Sequence, residues 1–128
     1  MEKTEIKHKI RNIKLYRDQI KFIKEINFKG KNHFKNGCLV VKGHLDCSDN
    51  QLTSLPDNLV VKGHLNCSHN QLTSLPDNLV VKGGLFCNNN QLASLPNNLI
   101  VKGSLYCGYN KVKLKLPKDA KIGGKFYA

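Results

Sequence analysis

The chain has 128 residues, 40 % of them hydrophobic, and 21 Lys+Arg against 9 Asp+Glu give a formal net charge of +12. That length suits one domain or one short repeat array and is too short for two independent cores, while the hydrophobic content is too high for a disordered basic tail. No apolar run approaches the roughly 18 residues that span a bilayer. The start, MEKTEIKHKI, lacks the apolar core of a secretory signal. A soluble cytoplasmic chain is therefore expected, with no membrane role. Five cysteines is an odd number, so a closed disulfide framework is not expected, and the thiols of a reducing compartment stay free. The 19 Lys against 2 Arg, with 15 Asn, point to a codon bias that raises both residues everywhere.

The chain is read as a single domain, 1–128. Over residues 4–24, Ile6, Ile10, Ile13, Tyr16, Ile20 and Ile23 recur every three or four positions with charges between them. That spacing predicts an amphipathic helix laying an isoleucine stripe over the first repeat as a cap. Residues 26–38 follow as a degenerate first rung, with Ile26 and Phe28 inward.

Residues 39–119 are four copies of one 20-residue unit, LVVKGHLDCSDNQLTSLPDN and its successors, with one extra residue in the fourth copy. Each position becomes a column: Leu45/Leu65/Leu85/Leu105, Cys47/Cys67/Cys87/Cys107, Asn50/Asn70/Asn90/Asn110, Leu52/Leu72/Leu92/Val112. Leu59, Val61, Gly63, Leu65 and Cys67 alternate with Val60, Lys62, His64, Asn66 and Ser68, the period of a strand. One unit this small cannot bury its own apolar face, whereas stacked units share one, their strands parallel at about 4.8 Å per rung. The fold class expected is a repeat solenoid with a parallel sheet of about five to six short strands and the N-terminal helix as cap. Gly63 marks a corner where a side chain would obstruct the bend. Residues 120–128 form a terminal half-rung, with Ile122 and Phe126 inward.

LPDNLVVKGHLNCSHNQLTS resembles the bacterial 20-residue leucine-rich repeat of enteric-pathogen effectors and related phage and prophage proteins. The match lies in Leu75-Pro76, Leu65-x-Cys67 and Asn70-x-Leu72, over about residues 26–128. The resemblance implies a leucine-rich-repeat-like fold and a binding role. It also implies that the Asn column turns inward to satisfy backbone groups at the bend. DNLVVKG stands where the effector pattern has a second Leu-Pro and another Leu, so a β-solenoid competes with a horseshoe. The ubiquitin-ligase domain of some effectors has no room here.

Chemistry-bearing motifs are scarce. The cysteines lack the clustered spacing of a zinc site and fit small buried hydrophobes. His44, Asp46 and Ser48 share one face, but residues two apart on a strand lie about 7 Å apart, too far for a nucleophile–base relay. A weak metal site from His44, His64, Asp46 and Asp49 loses to solvated polar residues on a sheet face. No enzyme, cofactor, metal or small-molecule substrate is expected.

The column that starts at Asp46 and Asn66 continues as Phe86, Tyr106 and Tyr127, an outward aromatic row with Tyr109 nearby. Such rows mark contact surfaces. Charge is uneven: residues 1–36 carry eleven cations and four acids, and residues 39–98 carry Lys42, Lys62 and Lys82 against four aspartates. Residues 99–128 carry Lys102, Lys111, Lys113, Lys115, Lys118, Lys121 and Lys125 against Asp119. The expected function is a non-catalytic protein-binding module for a partner with an acidic surface. Its contact residues are His44, His64, Asn66, Phe86, Asn88, Tyr106, Tyr109 and Tyr127, with the seven C-terminal lysines as basic contacts. Extended to the phage proteins, the resemblance implies a small inhibitor, a counter-defence protein occupying a larger nucleic-acid-handling complex. Two alternatives stand: direct binding of single-stranded nucleic acid by those lysines and aromatics, and a structural or assembly subunit.

Overall fold

The computed structural model describes residues 3–128, with side chains from Ile13 onward. It is a parallel-strand β-solenoid of about four turns with one N-terminal helix, α1 (Lys3–Glu25). Rungs 1 to 4 are residues 39–58, 59–78, 79–98 and 99–119. Each rung holds two short strands where the alternation suggests one. The first strands are β2 (Cys38–Val41), β4 (Leu59–Val61), β6 (Val80–Val81) and β8 (Ile100–Val101). The second strands are β3 (Leu45–Asp46), β5 (Leu65–Asn66), β7 (Leu85–Phe86) and β9 (Leu105–Tyr106). The terminal half-rung adds β10 (Lys121–Ile122) and β11 (Phe126–Tyr127), and β1 (Asn32–Lys35) precedes rung 1. Two sheets result, one of six strands ordered β1-β2-β4-β6-β8-β10 and one of five ordered β11-β9-β7-β5-β3.

The strand breaks in two because of the glycine column. Gly63 N–H donates to Gly43 O, Gly83 N–H to Gly63 O and Gly103 N–H to Gly83 O, each at 3.0 Å. A Cβ on Gly83 would lie 2.9 Å from the backbone of Gly63, so only glycine lets consecutive corners approach this closely.

The inward columns are as the alternation predicts. Leu45, Leu65, Leu85 and Leu105 are buried, as are Cys47, Cys67, Cys87 and Cys107, and they form one continuous core with Val41, Val61, Val81 and Val101. The loop side is closed by the asparagine column. Asn70 Oδ1 accepts from the amides of Asn50 (3.0 Å) and Leu52 (2.9 Å), and its Nδ2 donates to Cys47 O and Cys67 O at 3.0 Å. Asn90 and Asn110 repeat the bridge one rung further on. Each amide satisfies backbone groups of two rungs that would otherwise be buried unpaired. In rung 4 the extra residue shifts the column: Val112 is 49 % exposed, and Leu114 takes the buried place at 3 %.

The N-terminus departs from expectation in two ways. Residues 32–41 form an antiparallel hairpin, with Lys35 paired to Cys38 around Asn36 and Gly37, where a degenerate first rung was expected. Both turn residues have positive φ (53° and 78°), the two-residue turn that matches strand twist. β1 thereby covers the first edge of the six-stranded sheet. The isoleucine stripe is the second correction: Ile13 is 51 % and Tyr16 48 % exposed, and Ile6 and Ile10 lie outside the described side chains. With that edge taken by β1, the helix docks through its last two turns. Phe22 joins the core, with Ile23, Ile26 and Phe28 packed against it. Buried Gln19 donates from Nε2 to Gly37 O (3.1 Å) and Asp57 O (3.2 Å), tying the helix to the hairpin turn and to the end of rung 1. The helix ends in a paired cap, Phe28 N–H to Ile23 O and Asn27 N–H to Lys24 O, both 3.1 Å, with Asn27 left-handed at φ 52°.

Candidate interaction surface

Inward positions are alike from rung to rung, so the rungs are distinguished by the outward columns next to them. Just past the glycine corner the outward column runs His44, His64, Gly84, Ser104, Lys125, fixed by the bonds from Leu45, Leu65, Leu85 and Leu105 amides to the next rung's carbonyls. The column after it runs Asp46, Asn66, Phe86, Tyr106, Tyr127, by direct pairing.

Five of the expected contact residues form a single spine of rings. His44 stacks on His64 with centroids 4.7 Å apart and planes 5° apart. His64 meets Phe86 edge-on at 6.3 Å and 78°. Phe86 then stacks on Tyr106 (4.7 Å, 2°) and Tyr106 on Tyr127 (4.8 Å, 11°). The spine changes column between rungs 2 and 3, where the corner histidine gives way to Gly84 and the sheet position gains a ring. Column counting on the sequence kept the histidines apart from the aromatic row. The paired signal was the reciprocal change, His to Gly at one position and Asn to Phe two residues on.

The histidines are also part of the framework. His44 Nδ1 accepts the His64 amide at 2.8 Å, and His64 Nδ1 accepts the Gly84 amide at 2.7 Å. Acceptance at Nδ1 places the proton on Nε2. Among the described residues, no intramolecular hydrogen bond engages either Nε2 or the hydroxyls of Tyr106 and Tyr127. The exposed side of the spine therefore carries unused donors. Aromatic ring edges are the positive part of the quadrupole. Within the stacked pairs His44–His64, Phe86–Tyr106 and Tyr106–Tyr127, by contrast, the facing ring surfaces are taken up by each other. A nucleobase inserted between two rings needs about 6.8 Å, twice the 3.4 Å stacking rise, against the 4.7–4.8 Å present.

The remaining expected residues fall in three places. Asn66 Oδ1 accepts the Ser68 amide at 3.1 Å, as Asp46 does from Ser48, so both are engaged in local turns. In the amide orientation that satisfies both neighbours, Asn88 donates to Tyr106 O at 3.2 Å and accepts from Gly108 N–H at 3.3 Å, a rung-to-rung brace beside the rings. Tyr109 is outside the spine, 85 % exposed, in left-handed backbone at φ 54°. Asp49, His69 and Asn89 occupy the same place with the same sign of φ.

The basic contacts do not form one cluster. Lys102 directly follows β8, Lys121 pairs in register with Ile100, and the Lys125 amide donates to Ser104 Oγ at 3.0 Å. Lys111, Lys113, Lys115 and Lys118 lie exposed in the connection between β9 and β10. Among the described residues the one ion pair is Lys14–Asp18 at 2.8 Å, on the helix.

The thiols of the repeat column, Cys47, Cys67, Cys87 and Cys107, lie inside. Burial, with a smaller push from the Asp46 charge, raises Cys47 to about 12, and burial raises Cys67 strongly. The neighbouring Cys107 thiol, together with burial, pushes Cys87 well above the ordinary thiol value, while Cys87 in turn lowers Cys107, whose Sγ–H donates to Tyr127 O at 3.5 Å. Among the described residues no three His, Cys, Asp or Glu side chains come together as a metal site, and no helix is long and apolar enough to cross a membrane. No protein-family model, curated protein or solved structure matches the chain.

Proposed function

We propose that this protein is a non-catalytic binding module, leucine-rich-repeat-like and acting in the cytoplasm, which docks an acidic partner protein against the outer face of rungs 3 and 4. The observation that carries this reading is the stacked spine His44–His64–Phe86–Tyr106–Tyr127. Rings locked by stacking lose little conformational freedom on association, and anchors that are rigid and aromatic are the ones that dominate interfaces. What such a spine offers is ring edges and unused donors, which suit carboxylates. Exposed lysines at the same end add long-range attraction for an acidic surface. A small inhibitor occupying its partner's surface is the simplest mode of action for such a module.

Capture of partner protein on immobilised wild type, Phe86→Ala/Tyr106→Ala and Asp46→Ala tests this. The aromatic variant should lose at least ten-fold of the captured partner and the Asp46 variant should retain it, both folding normally by far-UV circular dichroism. Equal capture by all three removes this face from the reading.

Single-stranded nucleic acid is favoured by one observation. Tyr127 is the last ring of the spine among the described residues, and Lys121 and Lys125 lie on the same half-rung. Binding of this kind weakens steeply with salt. Affinity for a dT oligonucleotide that is absent, or flat between 50 and 200 mM salt (roughly the range over which phosphate contacts are lost), rejects it.

A further inference from the structure

We infer that the partner presents an acidic α-helix, laid lengthwise along the solenoid with one carboxylate facing each rung of the column Lys42, Lys62, Lys82, Lys102. This rests on the acidic-partner reading above and adds the shape of what binds. The register of β2, β4, β6 and β8 stacks Val41, Val61, Val81 and Val101, and the lysine that follows each valine is exposed. Four ammonium groups therefore leave the same side of the molecule at about 4.8 Å per rung. None of them has a carboxylate partner among the described residues.

Like charges directly opposite on neighbouring strands oppose each other. A column of four is a standing repulsion that its own fold does not relieve. Lysine is often placed on edge strands to prevent unwanted pairing, but β4 and β6 are interior strands, so that explanation does not reach Lys62 and Lys82. Background codon bias does not explain the placement either, because every lysine between residues 39 and 98 lies in this column. Rung 4 keeps Lys102 although it has exchanged the corner histidine for Ser104 and the aspartate for Tyr106.

Spacing decides the shape of the occupant. An α-helix advances about 5.4 Å per turn, so a carboxylate on each turn drifts only about 0.6 Å per rung and under about 2 Å across the column. An extended strand offers same-side residues about 6.7 Å apart, and it slips by roughly 6 Å over the same three intervals. Lysine side chains absorb the first mismatch and not the second. Three helical turns, about 16 Å, cover the column. Past the glycine corner, the next outward groups are the ring spine and its unused donors, which the flank of such a helix would meet.

Fluorescence anisotropy with three labelled synthetic peptides tests the inference on the full chain. One is helical with glutamates along one face at every turn; one has the same composition with the glutamates spread around the helix; one is an alternating Glu-Thr extended peptide. The one-face helix should bind at least ten-fold more tightly than either of the others. Lys62→Gln/Lys82→Gln should erase that preference with an unchanged or raised melting temperature. If the extended peptide binds as tightly as the one-face helix, the helical geometry is wrong while the acidic-partner reading stands. If no acidic peptide binds better than a neutral helix, both fall. If the lysine variant keeps the full preference, this column is not the site.

Discussion

Rungs 1 and 2 bury Leu45, Cys47, Leu65 and Cys67 where rungs 3 and 4 bury Leu85, Cys87, Leu105 and Cys107. The adjacent outward positions meanwhile change from Asp46 and Asn66 to Phe86 and Tyr106. In the middle rungs each inward side chain packs between copies of itself, Leu65 and Leu85 among them, so a change there disturbs three rungs. An outward side chain answers only to solvent, its neighbours in the column and whatever docks there. Variation between rungs therefore concentrates where packing leaves it free, and those are the positions to search for function.

The sharpest way to break that contrast is to truncate neighbouring residues of rung 3 that face opposite ways. Leu85→Ala, fully buried between two leucines, should cost about 3 kcal/mol of unfolding free energy in urea denaturation. Phe86→Ala, one residue on, should cost about 1 kcal/mol, the worth of its stacking. Equal losses at the two sites would mean that the aromatic column is part of the core.

A smaller effect sharpens the contrast. Tyr109 is held in left-handed backbone, where Asn89 sits one rung earlier. Asparagine tolerates this conformation and tyrosine does not. Tyr109→Asn should raise stability by about 0.5–1 kcal/mol, read as a shift in the urea midpoint. A loss instead would show that Tyr109 makes a packing contact that outweighs its backbone strain.

Much of this was legible in the residues. The 20-residue period and the inward leucines and cysteines follow from near-identical copies that have to share one core; the inward asparagine was implied by the leucine-rich-repeat resemblance, and the outward place of the aromatic row by the strand alternation. Elements that occur once were harder. Asn36-Gly37 just before the apolar run CLVV is a hairpin signal, but NHF invites alignment with the repeat, and the hairpin was hidden by the periodicity around it. Gln19 anchors the helix although its side chain carries no apolar signal, because its value lies in two carbonyls brought near from Gly37 and Asp57. The inserted residue of rung 4 moved burial from Val112 to Leu114, a choice that only the geometry of the loop makes. The ring spine escaped column counting because it crosses from one column to another at His64 and Phe86. Its role as a docking surface lies a step beyond anything the repeats alone dictate.

The division between inner and outer columns is tested most directly by mass spectrometry of the native protein after brief alkylation with iodoacetamide at pH 8. Cys38 is half-buried and lies outside the core column, whereas Cys47, Cys67 and Cys87 are enclosed and held protonated. Thiolate is the reactive form, so a thiol raised to about 12, as at Cys47, gives almost none at that pH. Cys38 should be modified while Cys47, Cys67 and Cys87 stay unlabelled until denaturant is added, when all five thiols should react. Rapid labelling of Cys47, Cys67 and Cys87 in the folded state would mean that the columns face the other way, and the ring spine would then not be the outer surface.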